Sequence, residues 1–208
     1  MSMGREIEIK LLLDPAHARR FMAHPLLRTA TARSDHMLDN TYFDTPDLGL
    51  RRRGVALRVR RIGRRRLQTI KLAAKAVAGS GLSMRPEWET PFAGSFDFSM
   101  IDVPRLRAWL QRDAIASAIG PLFTTRFRRL TWHLALPAGG EILVALDRGD
   151  IVAAGRSAPI CEVELELSSS DDVAALRNLA VALGERVPLM PSDVSKAQRG
   201  YALLATRR

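Results

Sequence analysis

The chain is poor in the residues that staple, span or stack. Its 208 residues include a single cysteine, Cys161, which excludes an internal disulfide and suits a reducing compartment. Cys161 sits on the apolar side of a strand-like run and reads as a packed thiol. No apolar run approaches the roughly 18 residues of a membrane span. The N-terminus opens into charged residues, without the apolar core of a secretory signal. The expectation is a cytoplasmic protein with no membrane partner. Aromatic residues make up 6% of the chain, little material for stacking bases, so nucleic acid is not the expected ligand. The four histidines (His17, His24, His36 and His133) are scattered and lack zinc spacing. There is no Walker phosphate loop, no Gly-x-Ser-x-Gly elbow and no dinucleotide fingerprint.

What the chain does have is positive charge. Lys and Arg total 32 against 22 Asp and Glu, a net charge of +10, on an otherwise ordinary soluble composition. Such an excess favours polyanionic partners. Part of it lies in two tracts, Arg51-Arg52-Arg53 and Arg64-Arg65-Arg66, which read as solvated surface.

The informative pattern is a period of two. Residues 6–10 read Glu-Ile-Glu-Ile-Lys. On a strand, Glu6, Glu8 and Lys10 share one face and Ile7 and Ile9 the other. Taken alone this is an amphipathic strand with its charges in water. The pattern returns at Glu162, Glu164 and Glu166, at Arg85, Glu87 and Glu89, at Arg58 and Arg60, and at Asp147. If these ribbons close into one barrel with charges inside, the lumen holds metal ligands and anion ligands together. A polyphosphate–metal complex needs both.

Strands are expected at about 4–13, 36–44, 55–61, 66–72, 84–92, 122–136, 141–147, 150–154 and 159–168. Turns are expected at residues 137–140 and 148–150, and residues 74–83 read as a loop. Helices are expected from the Asp14 cap to about His24, from about Pro104 to Ile119, after a Ser170 cap, and from near Ser195. About eight or nine strands with mostly short connections argue for an α+β, mainly β fold: an antiparallel sheet curled into a barrel with a charged interior and a few flanking helices.

The ordered set of motifs resembles the CYTH family of triphosphate tunnel metalloenzymes. It runs through Glu6-x-Glu8-x-Lys10, Tyr42-Phe43-Asp44-Thr45, Leu57-Arg58-Val59-Arg60, Thr69-Ile70-Lys71, Arg85-Pro86-Glu87, Ala145-Leu146-Asp147, Glu162-x-Glu164-x-Glu166 and Ser195-Lys196-Ala197-Gln198-Arg199-Gly200-Tyr201. Arg-Pro-Glu and the closing motif are most similar to the bacterial inorganic triphosphatase branch. Members of that branch often carry a histidine-rich helical CHAD domain after the tunnel; here one tunnel domain over 1–208, without it, is expected. The resemblance implies an eight-stranded antiparallel tunnel, and hydrolysis of inorganic triphosphate to pyrophosphate and phosphate with Mg²⁺ or Mn²⁺. It implies metal binding by Glu6, Glu8, Asp147, Glu162, Glu164 and Glu166. Lys10, Arg58, Arg60, Lys71, Arg85, Arg129 and Lys196 are implied to grip the triphosphate. Glu6, Glu8, Lys10, Lys71 and Asp147 are the implied catalytic positions. Spacing to Trp132 favours Arg129 as the basic residue of its strand, but Arg126 and Arg128 lie on the opposite face and remain alternatives. Thiamine triphosphatase, nucleoside or RNA 5′-triphosphatase and class IV adenylyl cyclase activities share the fold. A polyphosphate- or RNA-binding module without turnover is the rival from another class. Oligomeric state is not legible.

Overall fold

A computed structural model describes residues 2–76 and 78–205. Its ten strands are β1 (Ser2–Leu13), β2 (Ala32–Asp44), β3 (Val55–Ile62), β4 (Arg65–Leu72), β5 (Lys75–Ala76), β6 (Leu82–Pro91), β7 (Gly120–Ala135), β8 (Glu141–Ala153), β9 (Arg156–Ser168) and β10 (Leu189–Pro191). The helices are α1 (Ala18–Met22), α2 (Gly49–Arg52), α3 (Pro104–Leu110), α4 (Asp113–Ala116), α5 (Val173–Gly184) and α6 (Lys196–Ala205). Strand order is β1-β9-β8-β7-β2-β3-β4-β6, all antiparallel, and β6 pairs back onto β1. The eight strands therefore form a closed barrel. Closure leaves no free edge among them. β10 and β5 are short additions on β1 and β6.

The barrel is charged inside because its oily faces are covered from outside. Ile7, Ile9, Leu11, Val163 and Leu165 point outward and pack beneath Leu176 and Leu183 of α5 and beneath Phe21 and Leu27. On another flank, Leu57, Ile70 and Trp88 are covered by Phe98, Ile101 and Leu110. Each such fully buried side chain contributes about 1.5–3 kcal/mol by leaving water. On the β2–β7 wall this cover reaches Trp132 and Leu134, while the neighbouring stretch carries exposed pairs instead, Arg128 with Asp35 and Arg126 with Asp39. Among the described residues no helix is long and apolar enough to cross a membrane.

Several boundaries differ from the sequence expectation. Residues 148–150 form no turn: β8 runs unbroken to Ala153. Gly149 is needed for close approach, since a Cβ there would lie 2.1 Å from the Arg126 carbonyl oxygen and 2.5 Å from Phe127 Cα. The helix expected over 104–119 is two helices, because Arg112 is extended and Leu110 ends the buried stripe. The cap of α5 is Asp172, whose carboxylate accepts from Ala175 N at 2.9 Å, rather than Ser170. The expected loop 74–83 contains β5 and the start of β6. β10 was not expected: three residues with no alternation give no period to read.

Candidate functional site

Pairing fixes which charges meet. Glu6 lies opposite Arg85 and Glu8 opposite Glu166; Lys10 pairs with Glu164, Asp147 with both Glu162 and Arg129. Arg58 and Arg60 face inward from β3, and Lys71 from β4. All of these side chains but Asp147 and Glu162 line a cavity of about 620 Å³, which extends to the segment leading into α6. A second cavity of about 290 Å³, bordered by Gly4, Arg5 and Ser168, shares Glu6, Glu87 and Glu166 with it. Every candidate site residue except Asp147 and Glu162 lines the larger cavity. Those two are fully buried just behind it, in contact with Lys196. Arg126 and Arg128 point outward, so Arg129 is the inward base of β7.

Buried charges are costly unless paired, and most here are paired. Glu6 accepts from Lys71 Nζ at 2.6 Å and from Arg85 Nε at 2.5 Å. Glu8 accepts from Arg85 Nη2 at 2.8 Å and from Ser83 at 3.2 Å. Burial alone would raise the Glu6 carboxyl, but Lys71 and Arg85 outweigh it and hold it well below the usual carboxylate range. Arg129 donates to Asp147 at 2.7 and 2.6 Å and also reaches Glu164. Lys196, brought in by the first turn of α6, lies 2.6 Å from Asp147, 2.5 Å from Glu162 and 2.9 Å from Glu164.

Three basic groups have weaker partners. Lys10 is 3.7 Å from Glu8, and Arg58 is 4.0 Å from Glu87 with its buried Nε unpaired. Among the described residues Arg60 donates only to a neutral group, Asn40 Oδ1, at 2.8 Å. Burial, with Arg58 and Arg129 nearby, lowers Arg60 to about 10. This wall is set up to receive an anion.

The acidic side fits a hard divalent cation. Asp147, Glu162 and Glu164 each offer an oxygen, and the three lie within 4.8 Å of one another. Glu166 is pushed up to about 7, first by burial and then by Glu6, with Glu87 and Glu8 adding to it. A cation beside it would relieve that repulsion. Asn40, Thr125 and Glu87 belong to the site but not to the expected set. Glu87 shares the alternation of Arg85, so its signal was available. Asn40, held by Thr125 Oγ1 at 2.9 Å, gave none, because a lone Asn carries no period.

Two tyrosines, Tyr42 and Tyr201, border the cavity, yet both rings are occupied. Tyr42 stacks on Phe123 at 4.6 Å, and Tyr201 meets Phe123 edge-on with Arg51 over its ring at 4.9 Å.

A closed antiparallel barrel with facing acidic and basic walls defines a class, and comparison with known proteins gives its family. The chain belongs to the CYTH domain family, whose model matches residues 4–201. It is 32% identical over 201 residues to an inorganic triphosphatase of Haemophilus influenzae. That match covers 97% of this chain and 55% of the relative, so the chain spans about half the relative's length. Among solved structures, a Hippeastrum protein described as an adenylyl cyclase with a dominant triphosphatase activity has a TM-score of 0.70 at 20% identity, covering 97% of both chains. A Bacillus halodurans protein described as an adenylate cyclase has a TM-score of 0.62 at 20% identity, covering 95% of this chain and 98% of the other. At these identities the likeness is one of fold.

Proposed function

We propose that residues 1–208 act as a single tunnel domain that hydrolyses inorganic triphosphate to pyrophosphate and phosphate with Mg²⁺ or Mn²⁺. The observation that carries this reading is one cavity holding under-paired buried cations beside a carboxylate cluster. A pure anion binder has no use for those carboxylates, which repel its ligand. The similarity to an inorganic triphosphatase supports the same choice of substrate. So do the two tyrosines, which are buried, the Tyr42 ring stacked on Phe123 and the Tyr201 ring under Arg51, and so offer little surface to a base or a thiazolium.

Tripolyphosphate carries about four to five negative charges, so a ring of cations is required to hold it. Lys10, Arg58 and Arg60 take phosphate oxygens directly. Lys71, Arg85, Arg129 and Lys196 are paired with carboxylates in the free protein and would be the further phosphate ligands where those carboxylates are engaged elsewhere. Glu6, Glu8, Asp147, Glu162, Glu164 and Glu166 would hold the metal, which when bound would supply Lewis acidity at the phosphoryl group and offset charge on the leaving pyrophosphate. Water attacks the terminal phosphorus, the bond to the bridging oxygen breaks, and a carboxylate of the acidic cluster accepts the water's proton. Glu6, Glu8, Lys10, Lys71 and Asp147 act nearest the reacting group.

Phosphate release from tripolyphosphate, thiamine triphosphate, ATP, pyrophosphate and long-chain polyphosphate tests the reading. The expected result is fastest turnover of tripolyphosphate with Mg²⁺ or Mn²⁺ and none in EDTA. Activity that survives EDTA, or equal rates on tripolyphosphate and ATP, contradicts it.

A further inference from the structure

Two motifs have no part in the tunnel chemistry: Tyr42-Phe43-Asp44-Thr45 and the closing Gly200-Tyr201. The fold brings them together. The Tyr201 hydroxyl donates to Asp44 Oδ2 at 2.7 Å, and both residues are buried. The same carboxylate accepts from the backbone N–H of Thr45 at 2.7 Å, Leu50 at 2.8 Å and Arg51 at 3.1 Å. Asp44 thus ends β2, caps α2 and holds α6. Gly200 completes the seat, since a Cβ there would lie 2.1 Å from the Phe123 ring.

The other end of α6 is also fixed. Ser195 N donates to Gln198 Oε1 at 2.7 Å, and Gln198 N donates to Ser195 Oγ at 3.1 Å, a reciprocal cap. Between the cap and the Tyr201 anchor lies Lys196, whose Nζ sits 4.9 Å from the Phe127 ring in the same apolar cluster that receives Tyr201. The depth of Lys196 in the barrel therefore follows from how deeply α6 seats, and that helix is tied down by the Asp44–Tyr201 bond and by Arg199, which donates to Glu162 at 3.3 Å and to the Pro159 carbonyl.

We propose that Asp44 and Tyr201 are positioning residues for Lys196, locking α6 at the depth where its ammonium reaches Asp147, Glu162 and Glu164. The kinetic consequence rests on the triphosphatase reading; the positional claim does not. Tyr201→Phe keeps the ring and removes only the hydroxyl. Acylation of lysines by an amine-reactive ester, read by peptide mass spectrometry, reports position directly. Lys196 labelling should rise about tenfold, the factor expected for one lost hydrogen bond to a buried charge, with Lys10 and Lys71 unchanged. kcat/KM for tripolyphosphate should fall by a similar factor in the wild-type background. The Lys196→Ala and Lys196→Ala/Tyr201→Phe variants should be equally active. Unchanged Lys196 labelling overturns the proposal. So does a rise shared by all three lysines, which would report general loosening, and so does an additive loss in the double variant. A wild-type protein that leaves tripolyphosphate intact overturns the parent reading, and the labelling comparison still decides this one.

Discussion

Arg60 carries the tension between stability and function most openly. It is half-buried, has Arg58 and Arg129 as neighbours, and among the described residues donates a hydrogen bond only to Asn40. A folded state that keeps such a group gives up stability unless an anion arrives. Arg60→Met should therefore raise the melting temperature of the ligand-free protein while raising KM for tripolyphosphate by about tenfold or more. Thermal unfolding and steady-state kinetics on the same samples check both signs; a variant that melts lower would count against an unpaired role. Glu166 makes a second residue-scale case. Burial first, then the neighbouring carboxylates, raise its carboxyl to about 7, so the folded protein keeps a proton that the unfolded chain releases. That contribution is present below the ordinary carboxylate range and is lost as pH rises through about 7. In EDTA, wild type should lose about 2 kcal/mol relative to Glu166→Gln between pH 5 and 8. Urea unfolding at the two pH values measures this; a difference that stays flat or grows with pH contradicts the assignment.

At the scale of elements, Gly149 separates what sequence could tell from what it could not. The strict alternation of Glu6-Ile7-Glu8-Ile9-Lys10 and of residues 162–167 was legible, because one face per strand must find oil and the other charge. Closure into a barrel followed from short links among about eight or nine expected strands; the count of eight came from the family resemblance, since residues 141–147 and 150–154 form one strand. A glycine between Arg148 and Asp150, however, looks the same whether it turns the chain or admits a neighbour. Only the register, Gly149 opposite Phe127, decides between them. The inward face of β7 was ambiguous for a related reason: Arg126, Arg128 and Arg129 put bases on both faces, and pairing of Arg129 with Asp147 settles it. α6 was legible as a helix but not as the carrier of a buried lysine, since its seat depends on Asp44, 157 positions away. Gly149→Ala should destabilise the barrel by roughly 2–4 kcal/mol, the cost of forcing a methyl against backbone, with denaturant midpoint as the readout. A neutral effect would mean that β8 and β7 do not approach as described.

At the scale of the molecule, the cavity's cations and carboxylates nearly balance, so the net charge of +10 resides mostly on the exterior. Inside, the free protein is a self-neutralised lattice in which Lys71 and Arg85 are spent on Glu6. On the proposed function, divalent metal and triphosphate would be coupled, one engaging the carboxylates and the other the cations those carboxylates now hold. The Glu6→Gln variant tests this most directly, by calorimetric binding of tripolyphosphate in EDTA beside turnover in Mg²⁺. The prediction is two effects of opposite sign: metal-free binding tightens as Lys71 and Arg85 are freed, and turnover falls by about a hundredfold or more. Weaker metal-free binding, or turnover that survives the substitution, would contradict the account.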